Sequence, residues 1–126
     1  MNSEQSVQKP VAERKFDLEE RTLIFAKKAI NVSNAVVKNT INMELVSQLI
    51  RSAGSVGANY REANDSLTKK DFYYRINISR KEAKESKYWL ELLLHANQGL
   101  EGEIKNLIDE ASQLSRIFAS IVLKNN

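Results

Sequence analysis

From residue 17 onward apolar residues recur every three or four positions, and they do not alternate over any useful length, so the chain reads as all-α. Asp17, with Glu20 three residues on, has N-cap spacing and opens a first helix whose apolar positions are Leu18, Phe25, Ala26, Ala29, Val32 and Val36. Asn39, Thr40 and Asn42 form a polar break, and a second helix follows from about Met43 to Ala63. Asp65, Ser66 and Thr68 end it. Thr68 and Asp71 have capping-box spacing and begin a third helix, from Lys69 to about Gln98, ~45 Å long at 1.5 Å per residue. Gly99 and Gly102 punctuate a turn before a fourth helix, from Glu103 to about Leu123. Its buried row is Ile104, Leu107, Ile108, Ala111, Leu114, Phe118 and Ile121. Four amphipathic helices joined by short turns predict an up-down-up-down antiparallel four-helix bundle. Residues 1–14, polar and holding the single proline Pro10, are expected to be a disordered leader to a bundle domain over 15–126.

Residues 49–63, LIRSAGSVGANYREA, carry two glycines inside this helical pattern. At 100° per residue Leu45, Val46, Leu49, Ile50, Ala53, Val56, Gly57, Tyr60 and Ala63 share one broad core arc, and Arg51, Ser55, Asn59 and Glu62 form a row opposite. A phosphate-gripping loop needs its glycines between a strand and a helix, usually followed by Lys and Ser or Thr. Gly54 and Gly57 have helical pattern on both sides and no Lys after them. With Ser52, Ala53, Ser55 and Ala58 they form instead a small-residue surface that lets another helix approach closely. The polar row admits three readings: hydrogen bonding between helices or subunits, contact with a ligand or nucleic acid, or catalysis.

The third helix carries two apolar stripes. Phe72, Ile76, Ser79, Ala83, Leu90 and Leu94 make the expected core face, and Tyr74, Ile78, Trp89, Leu92 and Ala96 lie more than a quarter turn away. A lone bundle needs one stripe per helix, so the second predicts an interface for self-association, unless the chain termini fold back over it.

Charge is as uneven as the apolar pattern. The chain of 126 residues carries a net charge of +3. Residues 69–91 hold seven basic side chains (Lys69, Lys70, Arg75, Arg80, Lys81, Lys84 and Lys87) against four acidic ones (Asp71, Glu82, Glu85 and Glu91). Such a stripe can attract phosphates; equally, Lys81, Lys84 and Glu85 can form a solvated face laced with short-range ion pairs. No RNP motif, helix-turn-helix signature or aromatic–basic interleaving stands out. Chemistry is poorly provided for. There is no cysteine, one histidine (His95, toward the end of the third helix) and no zinc or calcium ligand spacing, so neither metal nor cofactor is expected and an enzyme is improbable. Without a secretory signal or a long apolar span, a cytoplasmic protein is the expectation.

Three runs together carry a family resemblance. They are Ile50-Arg51-Ser52-Ala53-x-Ser55-Val56-x-Ala58-Asn59-Tyr60-x-Glu62-Ala63, then Lys69-Lys70-Asp71-Phe72, then Ile78-Ser79-x-Lys81-Glu82-Ala83-x-Glu85-Ser86-x-Tyr88-Trp89-Leu90-x-Leu92-Leu93. The chain resembles the bacterial four-helix-bundle proteins of the 23S rRNA intervening-sequence family. That resemblance implies a left-handed up-down bundle assembling into a ring, typically a homopentamer, with no known enzymatic activity. It also marks Arg51, Asn59, Glu62, Glu82 and Glu85 as family-pattern residues without assigned roles. Two functions compete: an oligomer that binds RNA or DNA through the basic residues of the third helix, and a protein-interaction scaffold or accessory subunit.

Overall fold

The computed structural model describes residues 11–124, with side chains from Asp17 onward. Four helices follow one another: α1 (Val11–Ala35), α2 (Thr40–Asn64), α3 (Lys69–Ala96) and α4 (Glu101–Leu123). No strand occurs among the described residues, so the fold is all-α.

Helix ends differ from the sequence reading where caps outweigh apolar spacing. α1 is already helical at Val11, so Asp17 lies inside it and not at its cap, and residues 11–14 of the expected leader are helical. The rest of that leader, residues 1–10, lies outside the described residues. α2 begins at Thr40 because extended Asn39 accepts the backbone N–H of Asn42 at 2.8 Å on its side chain. What reads as a polar break is thus largely a cap. Thr68 caps α3 as its spacing predicts, accepting the Asp71 N–H at 3.1 Å, and extended Asn97 ends the helix after Ala96. Gly99 then turns the chain at φ 91°, a left-handed conformation that a Cβ disfavours. α4 starts at Glu101, and Gly102 falls inside its first turn beside Glu101 and Glu103, which complement the positive end of the helix dipole.

Every helix contributes to one core. Phe25 comes from α1, Leu49 and Val56 from α2, Ile76, Leu90 and Leu93 from α3, and Ile104, Leu114 and Phe118 from α4. Burying each is worth roughly 1.5–3 kcal/mol. Several core assignments shift: Leu93 is fully buried where Leu94 was expected, Phe72, Ile108 and Ile121 are only half-buried against the core, and Ile50 is exposed at the edge of its arc.

Side-chain contacts set the registers. Asn42 bonds to Asn97, Ser52 to Ser86, Val56 to Ser79 and Asn59 to Arg75, numbers rising on α2 as they fall on α3, so these helices run antiparallel. Buried hydroxyls keep the seam tight: Ser79 Oγ donates to the Val56 carbonyl and Ser86 Oγ to Ser52 Oγ, each at 2.9 Å. α1 also runs antiparallel to α2, with Glu19 bonded to Asn64 and Thr22 against Gly57. A Cβ on Gly57 would lie 2.9 Å from Thr22 Oγ1, so that glycine does serve close helix packing. Gly54 does not, because a Cβ there would meet open space. α1 packs mainly on α2 and meets α4 over a much shorter stretch, where Arg21 grips Glu110 through Nε at 2.6 Å and Nη2 at 3.0 Å.

Candidate functional site

The polar row of α2 finds its partners on α3. Arg51 Nη2 lies 2.5 Å from Glu85 Oε2 and 3.4 Å from Glu82 Oε1, and Trp89 Nε1 donates to the same Glu85 oxygen at 3.2 Å. The Glu85 hydrogen bond above all raises the guanidinium pKa. One turn on, Asn59 Nδ2 donates to Ser55 Oγ at 2.9 Å, and Arg75 Nη1 donates to Asn59 Oδ1 at 2.9 Å. Arg51, Ser55 and Asn59 are therefore members of an α2–α3 hydrogen-bond network. Glu62 is not brought into it; it is exposed, and its backbone carbonyl accepts from Ser66 Oγ.

This network determines what remains on the outer face of α3. Glu85 is held by Arg51 and Trp89, and the short-range pairing with Lys81 and Lys84 does not form. Among the described residues Lys69, Lys70, Lys81, Lys84 and Lys87 have neither ion pair nor hydrogen bond; the first four are exposed and Lys87 is half-buried. The two arginines differ. Arg75 is tied to Asn59 with its guanidinium 6.0 Å from the centre of the Tyr74 ring, and Arg80 Nε donates to Asn77 at 3.3 Å. The seven basic candidates thus divide into five free lysines and two tethered arginines.

Two tyrosines share the lysine face. At 100° per residue Lys70, Tyr74, Lys81, Lys84 and Tyr88 fall within an arc of ~80°. Tyr74 is 63% exposed and Tyr88 54%. Aromatic and basic groups are therefore interleaved, contrary to the sequence reading, at separations that place them together only once α3 is wound. In the sequence Tyr88 is picked out only within the run that carries the family resemblance, without a role. Between α3 and α4 beside it lies a depression of about 340 Å³, lined by Lys84, Lys87, Tyr88 and Glu91 and by Ser112, Ser115 and Arg116 of α4.

The stripe expected to form an oligomer interface is divided. Tyr74 and Ala96 are exposed, Ile78 and Leu92 are half-buried, and Trp89 packs partly against the core. Other large apolar residues are exposed elsewhere: Leu23, Ile30 and Val37 along α1 and just past its end, and Met43 and Ile50 on α2. Their signal in the sequence is seven-residue spacing. A groove of about 920 Å³ separates α1 from α4, floored by Phe25, Val32 and Leu107. Five carboxylates, those of Asp17, Glu20, Glu103, Asp109 and Glu110, surround it against Arg21 and Lys28.

His95 is exposed at the end of α3. Among the described residues no group of three or more His, Cys, Asp or Glu side chains is placed to hold a metal ion, and no helix is long and apolar enough to cross a membrane.

Residues 14–120 match the family model described as 23S rRNA-intervening sequence protein. Among solved structures, the chain is similar to a protein of unknown function from the S23 ribosomal protein family of Bacteroides thetaiotaomicron VPI-5482. The two are 30% identical, with a TM-score of 0.75 over 82% of this chain and 96% of that one. None of the curated proteins matches the chain.

Proposed function

Because the chain belongs to the 23S rRNA-intervening sequence protein family, we propose that it is a non-enzymatic, self-associating bundle of up-down-up-down course that binds RNA or DNA through the lysine face of α3. One observation carries the nucleic-acid reading: Arg51 of α2 holds Glu85, the α3 carboxylate spaced to pair with Lys81, so that the lysines are left unpaired. A face of unpaired ammonium groups attracts phosphates without reading base sequence, and its affinity falls steeply with salt. The test is filter binding of a structured RNA across a salt series. Binding is expected at low salt, and Lys81→Ala with Lys84→Ala is expected to lower the slope of log affinity against log salt by roughly two. No binding at low salt refutes this reading.

Self-association is supported by the exposed apolar residues of α1 and α2, and the family resemblance favours a homopentameric ring. A ring would multiply the charge of each protomer and add avidity to weak phosphate contacts. Light scattering is expected to give a mass several times 14.3 kDa. Ile30→Lys is expected to lower it more than Trp89→Glu does, since Trp89 is partly occupied with its own core.

The α1–α4 groove favours a second reading, an interaction scaffold. An apolar floor under a ring of carboxylates suits a basic amphipathic helix of a protein partner. Recovery of one stoichiometric protein after nuclease treatment, lost on Glu103→Lys, would favour this reading over the first.

A further inference from the structure

We infer that the depression between α3 and α4 around Tyr88 holds one unpaired nucleotide of a single-stranded nucleic acid, the strand continuing along α3 toward Tyr74. This rests on the nucleic-acid reading above and specifies the form of nucleic acid. The depression brings together groups from two helices that no local stretch of sequence connects. Lys84 and Lys87 of α3 face Arg116 of α4, three cations around a single acid, Glu91. Ser112 and Ser115 line the same wall, and neither hydroxyl makes a hydrogen bond among the described residues. Cations and free hydroxyls suit the oxygens of a phosphate. The Glu91 carboxylate suits a ribose hydroxyl or a base amino group.

Tyr88 supplies the apolar part. Its ring is held on one side by Trp89, centroids 5.1 Å apart at 69°. Trp89 is in turn fixed by its bond to Glu85, which Arg51 holds. The ring is thus a supported platform, still more than half exposed. Base faces are available for stacking only where they are not already stacked in a duplex, so a platform beside a phosphate site distinguishes single strands from duplexes, which lysines alone do not. Tyr74 lies fourteen residues earlier on the same face, ~21 Å along the helix, with Lys81 and Lys84 between the two rings. Two platforms with cations between them form a track for several nucleotides.

The test uses the full chain and fluorescence anisotropy with a labelled 20-nucleotide single strand of low structure, a blunt duplex of the same length, and AMP as competitor. The single strand is expected to bind at least about tenfold more tightly than the duplex. Tyr88→Ala should weaken the strand roughly tenfold and the duplex little, with Tyr88→Phe close to wild type. Arg116→Ala should lower the salt slope by about one. Equal affinity for strand and duplex, or a strand affinity unchanged by Tyr88→Ala, overturns the inference while leaving phosphate binding by the lysines intact. Efficient displacement of the strand by AMP assigns the depression to a free nucleotide and also overturns it. Light scattering on Tyr88→Ala should return the wild-type mass; a reduced mass makes Tyr88 an interface residue and refutes the site. If the wild-type chain binds none of these probes at low salt, the broader nucleic-acid reading is refuted with it.

Discussion

Gly54 and Gly57 stand three residues apart on one helix and should respond oppositely to the same substitution. Adding a methyl group to a helical glycine stabilises the helix by roughly 0.5–1 kcal/mol, because the unfolded chain loses freedom. At Gly54 nothing opposes that gain, since the new Cβ meets no atom within 4 Å. At Gly57 the Cβ would lie 2.9 Å from Thr22 Oγ1, 3.2 Å from Thr22 Cβ and 3.7 Å from its carbonyl carbon. The hydroxyl is in no position to yield easily, because it is buried and bonds to the Leu18 and Glu19 carbonyls at 2.8 and 3.1 Å. Relief therefore requires α1 to move away from α2, an overpacking cost of about 1–3 kcal/mol.

Gly57→Ala is accordingly expected to lose about 0.5–2 kcal/mol net and Gly54→Ala to gain about 0.5–1 kcal/mol. Urea unfolding at one fixed protein concentration measures both, so that mass action from association acts on the variants alike. Thr22→Ala should recover part of the Gly57→Ala loss, with a coupling of at least about 0.5 kcal/mol. Recovery is partial because the β-carbon of residue 22 remains. If Gly57→Ala proves as stable as Gly54→Ala, the close approach of α1 to α2 inferred here is wrong.

Three further outcomes follow from the contacts. At one end of the bundle Asn42 and Asn97 exchange side-chain hydrogen bonds at 2.9 Å in each direction, with Asn42 buried, so Asn97→Ala should cost roughly 1–3 kcal/mol in urea unfolding by leaving the Asn42 carbonyl without its donor. Glu110→Gln should lose only about 1 kcal/mol, since its pairing with Arg21 is partly solvated, but hydrogen exchange should rise selectively in α1, which has little other hold on α4. Burial above all raises the pKa of the Tyr60 phenol, with the Asn64 hydrogen bond opposing and Glu19 adding to the shift. The folded state then keeps a proton that the unfolded state sheds near pH 10, so this stability is present below about pH 10 and lost above it. Tyr60→Phe should flatten the alkaline limb of a stability–pH profile.

The helix count and most of the core were legible because apolar period and burial coincide. Phe25, Leu49, Ile76, Leu90, Ile104, Leu114 and Phe118 occupy the inward positions their spacing assigns. Ends were less legible because a cap such as Asn39 is a polar residue that looks like an interruption until its bond to Asn42 is seen. The site was hardest to read. Charge counting picked out the α3 lysines as candidates but could not tell which carboxylates they would meet, since the cation that engages Glu85 comes from α2, 34 residues earlier. Ser112, Ser115 and Arg116 carry no motif, and only the packing of α4 on α3 places them beside Tyr88.

That dependence of surface charge on internal packing can itself be measured. Lys81 and Glu85 are spaced as i and i+4 on the surface of α3, close enough to pair if the carboxylate were released. Instead Arg51 holds Glu85 from the neighbouring helix, with Trp89 donating to the same oxygen. On the proposed nucleic-acid reading, Arg51, which lies on α2 outside the lysine face, sets how much of that face a phosphate encounters. Arg51→Ala should release Glu85 to Lys81, weaken binding of a single strand, and lower the salt slope by about one, as though a lysine had been removed. Adding Glu85→Gln should restore the slope, because no carboxylate remains to compete with phosphate for Lys81. Weaker binding at an unchanged slope would show that Arg51 acts only through the fold, and the link from the α2–α3 network to the basic face would then fail.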